Sequence, residues 1–409
     1  MKLSLQQVSS LESEILKQVR AQPGISRVAL ARKLQIAPST VGNYAARLIA
    51  EGFLEEDPDK MDFEMGRPPT ALRLNPDGGQ FIGVDFEARN IMAMAVDFSD
   101  RPLRQAHKDI EQSDSVQAVV GKIEQAIEEV LPSEPDRLLA IGIGVPGLVN
   151  PVKGIGVHYK YISDWQNVSL AAPMAKRFGV PVYLENCVRS MALAELWFGQ
   201  GRGLKDWLCL GIRSGIGAGI VSGGQLQTGA NHRAGEIGRW VCPRPPKPAS
   251  LFTHARTSSG GLELQDVASV RAILAALDRA RKAGKRTLLS GHPGPLAFAD
   301  VLGAAREKDH LTLQIINHAA EQLGWAVGEL SFALNPSRVI LAGPLTLLGE
   351  IMLRPLREYA QDVLRESGAD VPEIINSTMG EYSGALGAAA LAVHEWKPRL
   401  PMAENGSKV

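Results

Sequence analysis

Apolar residues recur at helical spacing at Leu11, Ile15, Leu16 and Val19, which predicts an amphipathic helix over residues 9–21. Pro23-Gly24 ends it, and Ser26 is placed to cap a second short helix from Arg27 to Leu34. Gln35-Ile36-Ala37 then makes a tight turn before Pro38. Proline suits the first turn of a helix, because the N–H it lacks has no partner there anyway. In this third helix Val41, Ala45, Leu48 and Ile49 form the inward stripe. Ser39, Thr40, Asn43, Tyr44 and Arg47 are left on the outer face. Beyond Phe53-Leu54 a turn-prone acidic stretch, EEDPDKMDFEMGRPP, leads into the alternating run Thr70 to Leu74, which reads as a two-stranded wing. Asn75-Pro76-Asp77-Gly78-Gly79 marks a domain boundary.

The remainder shows one pattern twice. Phe81 to Asp85 leads into Asn90-IMAMAVDF, and Trp207 to Ile212 leads into Ala218-GIVSGGQLQTG. Each reads as apolar strands joined by short polar or glycine-rich turns, followed by helix-rich sequence. The repeat predicts a duplicated, two-lobed α/β body with a cleft between the lobes. A helix near Gly384 to His394 is expected to pack back on the first lobe.

Length and composition agree with this division. A chain of 409 residues holds two or three domains, and 45% hydrophobic with 22% charged residues is the balance of a globular protein with a sizeable core. No apolar run reaches the ~18 residues that span a bilayer, and the N-terminal stretch carries early acidic residues in place of a cleavable apolar segment. Cys187, Cys209 and Cys242 are scattered and odd in number, which argues against a disulfide framework. A cytoplasmic protein is expected.

The net charge of zero hides a local asymmetry. Residues 15–50 carry six basic residues (Lys17, Arg20, Arg27, Arg32, Lys33, Arg47) and no acidic one. Residues 51–64 then carry seven acids and only Lys60. Two short helices joined by a three-residue turn, the second starting with small polar groups, form a helix-turn-helix pattern. Hydroxyls, an amide and an Arg on one helix face are the groups that reach base edges and phosphates. Arg67 sits on the stiff Gly66-Arg67-Pro68-Pro69 segment and is a candidate for a minor groove. A plain three-helix bundle used for protein contacts is the alternative.

Gly142-Ile-Gly-Val-Pro-Gly147 matches the dinucleotide fingerprint G-x-G-x-x-G. Pro146 disfavours helical geometry at the residue before it, and no acidic residue about twenty positions on follows a clear second strand. A dinucleotide fold is not expected. The eight histidines do not cluster, so no Ser-His-Asp arrangement can be argued from spacing.

Several longer motifs resemble the ROK family of repressors and sugar kinases. They are VPGLVNPVKG (145–154), the Trp165-x-Asn167 pair, VPVYLENCVRSMALAE (180–195), the glycine-rich block 211–238, GGLE (260–263), VILAG (339–343) and GALGAAALA (384–392). The resemblance covers nearly the whole chain. It implies an α/β fold in which a winged helix-turn-helix precedes a two-lobed, actin-like or ribonuclease H-like sugar-kinase body. The winged domain spans 1–75, with a linker at 76–79. A first lobe at 80–200 is joined by the helix 381–397, a second lobe takes 201–380, and 398–409 form a flexible tail.

The family's functional positions carry over in part. Its kinases open on Asp-x-Gly-Gly-Thr, a bare backbone turn for nucleotide phosphates. Here that segment is Asp85-Phe86-Glu87-Ala88-Arg89. The Asp of the family's Asn-Asp pair, which accepts the sugar hydroxyl's proton, is replaced in Asn186-Cys187. The resemblance thus implies a degenerate base position at Cys187, no catalysis and no cofactor. The family's zinc ligands fall on Arg239, His254, Arg256 and Gly261, so no metal is expected. Gly147, Asn186, Glu236, Arg239 and Glu263 remain as candidate ligand contacts, with Arg239 placed to meet an anionic group. The alternative for Glu236 and Arg239, three residues apart, is a simple mutual pair.

The function expected from all this is a DNA-binding transcriptional regulator, a repressor in the first instance, of carbohydrate metabolism. Its partners would be a double-stranded operator with dyad symmetry, a sugar or sugar-derivative effector, and a second copy as homodimer or dimer of dimers, with no membrane. A sugar kinase with an accessory DNA module and a regulator lacking any small-molecule effector stand as the alternatives.

Overall fold

The computed structural model describes residues 11–57, 71–243, 261–365 and 368–398. The N-terminal head consists of α1 (Leu11–Ala21), β1 (Ile25–Ser26), α2 (Arg27–Leu34), α3 (Pro38–Ala50), β2 (Leu54–Asp57) and β3 (Ala71–Leu74). The Ser26 hydroxyl accepts the Ala29 N–H at 3.2 Å and caps α2. Gln35 takes a left-handed conformation, φ 56°, and closes the same helix. The wing has a third strand beyond the two read from sequence: β3 lies between β1 and β2, with Ile25 opposite Leu72. The cap explains it. Ser26 must leave helical geometry to cap α2, so it is extended (φ −78°, ψ 155°) and free to pair. Arg67 lies outside the described residues, as does the acidic tip of the wing.

After a 3-10 turn at Pro76–Gly78, the first lobe begins with a meander of β4 (Gln80–Phe86), β5 (Asn90–Asp97) and β6 (Pro102–Asp109). It continues through α4 (Val116–Glu129), β7 (Leu138–Val145), β8 (Leu148–Asn150), β9 (Ile155–His158), β10 (Gln166–Ser169), α5 (Ala171–Phe178), β11 (Val182–Asn186) and α6 (Cys187–Trp197). The second lobe repeats the scheme. A meander of β12 (Trp207–Ile212), β13 (Ile216–Ser222) and β14 (Gln225–Gln227) leads to α7 (Leu264–Ala268), α8 (Val270–Lys282), α9 (Phe298–Arg306) and α10 (His310–Leu334). Then come β15 (Arg338–Ala342), α11 (Glu350–Arg365), β16 (Glu373–Asn376) and the last helix, α12 (Ser383–Glu395).

The large sheets run β11-β7-β4-β5-β6 and β14-β13-β12-β15-β16. Reversing the second list gives the same order: two parallel strands, then a three-stranded meander. The glycines of the Gly142–Gly147 run serve packing. A Cβ on Gly142 would lie 1.8 Å from Ala388 O, and one on Gly83 would lie 1.9 Å from Ala385 O. Only bare backbone lets α12 seat on the first sheet.

The head shares a core with the first lobe. Ile15, Leu48, Leu72, Phe81, Phe98, Ala389 and Val393 belong to one buried apolar cluster. Within it the Phe98 ring lies 5.2 Å from Phe53, 5.9 Å from Phe81 and 5.8 Å from Trp396. Arg20 of α1 crosses to the lobe as well, with Nε 2.8 Å from Asp100 Oδ2 and Nη2 donating to Phe98 O at 3.0 Å. The expected linker is therefore a tight connection inside a packed unit. Among the described residues no helix is long and apolar enough to cross a membrane.

Candidate functional site

The outer face of α3 is the first candidate surface. Ser39 and Asn43 are exposed, while Thr40 and Tyr44 are half-buried. Arg47 is half-buried on the same face. Its guanidinium lies over the Tyr44 ring, 5.6 Å from the centroid, with Nη1 3.8 Å from Glu12 Oε1 of α1. Sequence periodicity puts Arg47 off the apolar stripe, but only the fold brings Glu12 beside it. Arg27 is also engaged, donating to Glu56 of β2 at 2.8 Å. Arg32 and Lys33, in the last turn of α2, are exposed. Sequence reasoning counted them in the basic run without assigning them a role.

The second candidate is a cavity of about 250 Å3 between the lobes. It is lined by Gly147, Asn186, Cys187, Glu236, Arg239 and Glu263, so residues spread over more than a hundred positions converge on one site. Not all of them are equally available. Asn186 caps α6: its Oδ1 accepts the N–H of Val188 at 2.9 Å and of Arg189 at 3.3 Å, and its Nδ2 donates to Gly147 O at 2.9 Å. One amide hydrogen is left for a ligand. Gly147 has φ 72°, and a Cβ there would lie 2.3 Å from His158 O. Glu263 Oε2 accepts from Gln265 Nε2 and lies 3.9 Å from Lys160 Nζ.

Glu236 and Arg239 do not form the mutual pair weighed as the alternative; no ion pair joins them within 4.0 Å. Burial holds the Glu236 carboxyl above its ordinary range, against the pull of Arg189, Arg239 and Arg233. Its loop is held from below by a residue not singled out in the sequence. Arg189, 1% exposed, donates to Glu185 Oε1 at 2.7 Å and to the carbonyls of His232 and Ala234, both at 3.1 Å. The spacing Glu185-x-x-x-Arg189 on a strand-to-helix junction was the legible signal.

Cys187 is buried, and that burial, with Asp85, Glu87 and Glu236 nearby, pushes its thiol up to about 12 even though Arg213 opposes the rise. A thiol held protonated at neutral pH accepts no proton from an attacking hydroxyl.

At Asp85–Arg89, the segment that the resemblance sets against a bare phosphate turn, this chain has an ion-pair network. Arg213 Nη1 lies 2.6 Å from Asp85 Oδ2, and Arg213 Nε lies 3.5 Å from Glu87 Oε1. Glu87 Oε2 accepts the N–H of Ser214 at 3.1 Å and its hydroxyl at 2.9 Å. Burial lifts the Asp85 carboxyl to about 6, with Arg213 working against the lift. Burial also opposes the charge of Arg213, but Asp85 and Glu87 outweigh it and hold the guanidinium cationic. The replacement of the glycines by Glu87 and Ala88 is visible in the sequence, whereas the part played by Arg213 is not. A bulky cation inside the run Gly211-Ile-Arg-Ser-Gly215 was the available clue.

The expected loss of the zinc ligands involves His254 and Arg256, which lie outside the described residues. Among the described residues no cluster of His, Cys, Asp and Glu could hold a metal ion.

Residues 81–395 match the family model described as "ROK family", and residues 9–55 match "Winged helix-turn-helix DNA-binding". The chain is 28% identical over 350 residues to the xylose repressor of Caldicellulosiruptor bescii, covering 84% of this chain and 85% of the relative. It is 32% identical over 315 residues to a glucokinase of Thermotoga maritima, covering 76% of this chain and 96% of that enzyme. In fold it is similar to the solved structure of a ROK family transcriptional regulator described as a homologue of the Escherichia coli MLC protein. That match has a TM-score of 0.73 at 23% identity and covers 94% of this chain and 96% of the other.

Proposed function

We propose that this chain, which belongs to the ROK family, is a DNA-binding repressor of carbohydrate metabolism whose kinase-like body has kept a sugar-sized cleft and lost phosphoryl transfer. The observation that carries this reading is the filled phosphate turn. Asp85 and Glu87 enclose Arg213 and leave a net negative charge where a nucleotide's phosphates need bare backbone and cations. The winged head supplies the DNA contact, with Ser39, Thr40, Asn43 and Tyr44 toward the major groove. Arg47 braces that helix against Glu12, and Arg67 is assigned to the minor groove. Two heads in a symmetric dimer read an operator with dyad symmetry. Footprinting on the chain's own promoter region tests the reading directly. A regulator protects a symmetric site, and absence of any protected sequence with and without sugars would overturn it.

Catalysis is absent on this reading, and one substitution does not restore it. Cys187→Asp returns a carboxylate to the base position, but Glu87 and Arg213 still fill the phosphate turn. Positioning of the nucleotide matters as much as activation of the hydroxyl. A coupled assay with hexoses, pentoses and amino sugars is expected to show no sugar-dependent ATP consumption by either protein. Turnover by the wild type would restore the kinase reading.

The effector reading rests on Glu236, a half-buried carboxylate that lines the cavity and has no ion pair with Arg239 within 4.0 Å. A partly desolvated carboxylate gains from hydrogen-bond donors, and sugar hydroxyls supply them. Glu263 and the remaining Asn186 amide hydrogen complete the polar face, with Gly147 permitting close approach. Titration calorimetry with sugars, sugar acids and sugar phosphates is expected to find a ligand. Glu236→Gln should weaken its binding by about tenfold or more, the scale of one charge-assisted hydrogen bond. Arg239→Ala should weaken anionic ligands selectively. A ligand bound with equal affinity by both variants would remove these residues from the site.

A further inference from the structure

The two lobes are joined behind the cleft by α6, where Arg189 holds the His232 and Ala234 carbonyls and Met191 and Ala192 share a buried cluster with Trp207, Cys209 and Val221. The polar contacts that border the cleft itself are of two kinds. Toward the mouth, Lys160 Nζ is 3.7 Å from Asp266 Oδ1, and the Arg271 guanidinium sits 4.6 Å from the Tyr161 ring centroid. Lys160 is exposed, so its pair with Asp266 is partly screened by water. The floor is different. Asp85 is 1% exposed and Arg213 is 9% exposed. They come from separate lobes, at the end of β4 and in the turn between β12 and β13. Beside them Ser214 donates twice to Glu87 and shares a 2.8 Å hydrogen bond with Tyr159 Oη of the first lobe. One turn of the second lobe thus meets three side chains of the first. Breaking this by separating the lobes would leave Asp85 without its cation in a site too buried for full hydration.

We propose that Arg213 is an internal substitute for a bound nucleotide: it pins the second lobe to Asp85 and Glu87 of the first, so that the cleft rests closed with no ligand present. In a phosphotransferase of this architecture the phosphate turn is empty until a nucleotide enters. Here two carboxylates of the first lobe hold the cation of the second permanently. Because Arg213 is already matched by two carboxylates, the floor offers no net positive charge to a phosphate, and nucleotides are excluded from it. An effector then binds a cleft whose closure is set in advance, and the remaining freedom lies at the rim. The inference rests on the floor geometry alone and holds whether or not an effector exists.

Distance measurement between spin labels tests it. Val152, 84% exposed in the first lobe, and Leu288, 58% exposed in the second, are suitable sites for cysteine substitution. Cys242 is replaced by serine, and Cys187 and Cys209 are buried. The full-length, ligand-free protein is expected to give one narrow distance distribution, unchanged by a non-hydrolysable ATP analogue. Arg213→Met should lengthen and broaden it. Glu87→Ala, which removes the Ser214 hydrogen bonds and half of the ion pair but leaves Asp85 its partner, should do so to a smaller extent. It serves as the reporter if Arg213→Met does not fold. Arg213→Lys should retain more of the narrow population than Arg213→Met. A broad distribution in the wild type, narrowing with the ATP analogue, would overturn the proposal. So would a distribution that stays narrow in the folded variants.

Discussion

Replacing Phe98 by alanine is expected to cost about 3–5 kcal/mol of stability, the usual range for a fully buried aromatic, and to uncouple the head from the body. Phe98 is 0% exposed and packs on Phe53 of the head, Phe81 of the first sheet and Trp396 beyond α12. Its ring also lies 5.5 Å from the Arg20 guanidinium, so the Arg20–Asp100 pair loses its apolar backing with it. Against a total stability of about 5–15 kcal/mol, the loss is large. The expected signature is specific to the junction. In denaturant the wild type should lose head and first lobe in one transition, because they share a core. Phe98→Ala should separate an early head transition from a later one. If both proteins unfold in the same single step with the same midpoint, the shared core is not what couples them. The same packing explains why deleting the head is a poor test of DNA binding: it would expose Phe81, Phe98 and Trp396 together.

The second large effect concerns the operator. Asn43 is exposed on α3, away from the buried Val41, Ala45 and Leu48. Asn43→Ala should weaken operator binding by about 1–3 kcal/mol, the value of a good base contact, and relax the preference at one base pair per half-site. Thermal stability should be unchanged, since surface substitutions of this kind stay within about 0.5 kcal/mol. Arg32→Ala with Lys33→Ala should behave differently. On the proposed reading these exposed cations meet phosphates, so affinity should fall for all sequences alike. The salt dependence should flatten by about one unit of slope for each phosphate that is no longer neutralised. Fluorescence anisotropy across a range of salt concentrations separates the two patterns. Equal weakening toward operator and random DNA on Asn43→Ala would move the base contacts off α3. Arg47→Ala is expected to weaken binding through the helix it braces, with a measurable loss of stability that Asn43→Ala does not show.

Much of the head was legible from local spacing. The stripe at Val41, Ala45 and Leu48, the Ser26 cap and Pro38 at the helix start are signals within one or two turns, and the structure places all three as read. The repeated strand pattern at 81–97 and 207–222 likewise foretold a strand meander in each of two lobes, with β13 starting two residues earlier than the pattern suggested; the common order of the two five-stranded sheets came only with the fold. The candidate cleft was legible as a set of residues, because motifs such as VYLENC and the 211–238 block mark them. Their condition was not. Asn186 spends most of its amide on capping α6, a role shared by any Asn before a helix.

Features that depend on neighbours along the chain could be read directly: helix faces, caps, turns, and the replacement of one residue type by another at Asp85–Arg89 and Cys187. Tertiary structure decided what depends on partners far away in sequence. Asp85 meets Arg213 across 128 positions, Glu87 meets Ser214 across 127, and Arg20 meets Asp100 across 80. A carboxylate read in isolation carries a charge and no address. Whether it obstructs a phosphate, locks a lobe or waits for a ligand is fixed by which cation the fold brings within about 3 Å, the reach of a charge-assisted hydrogen bond. At the floor of the cleft, burial makes that choice matter most, because water is not there to answer for a missing partner.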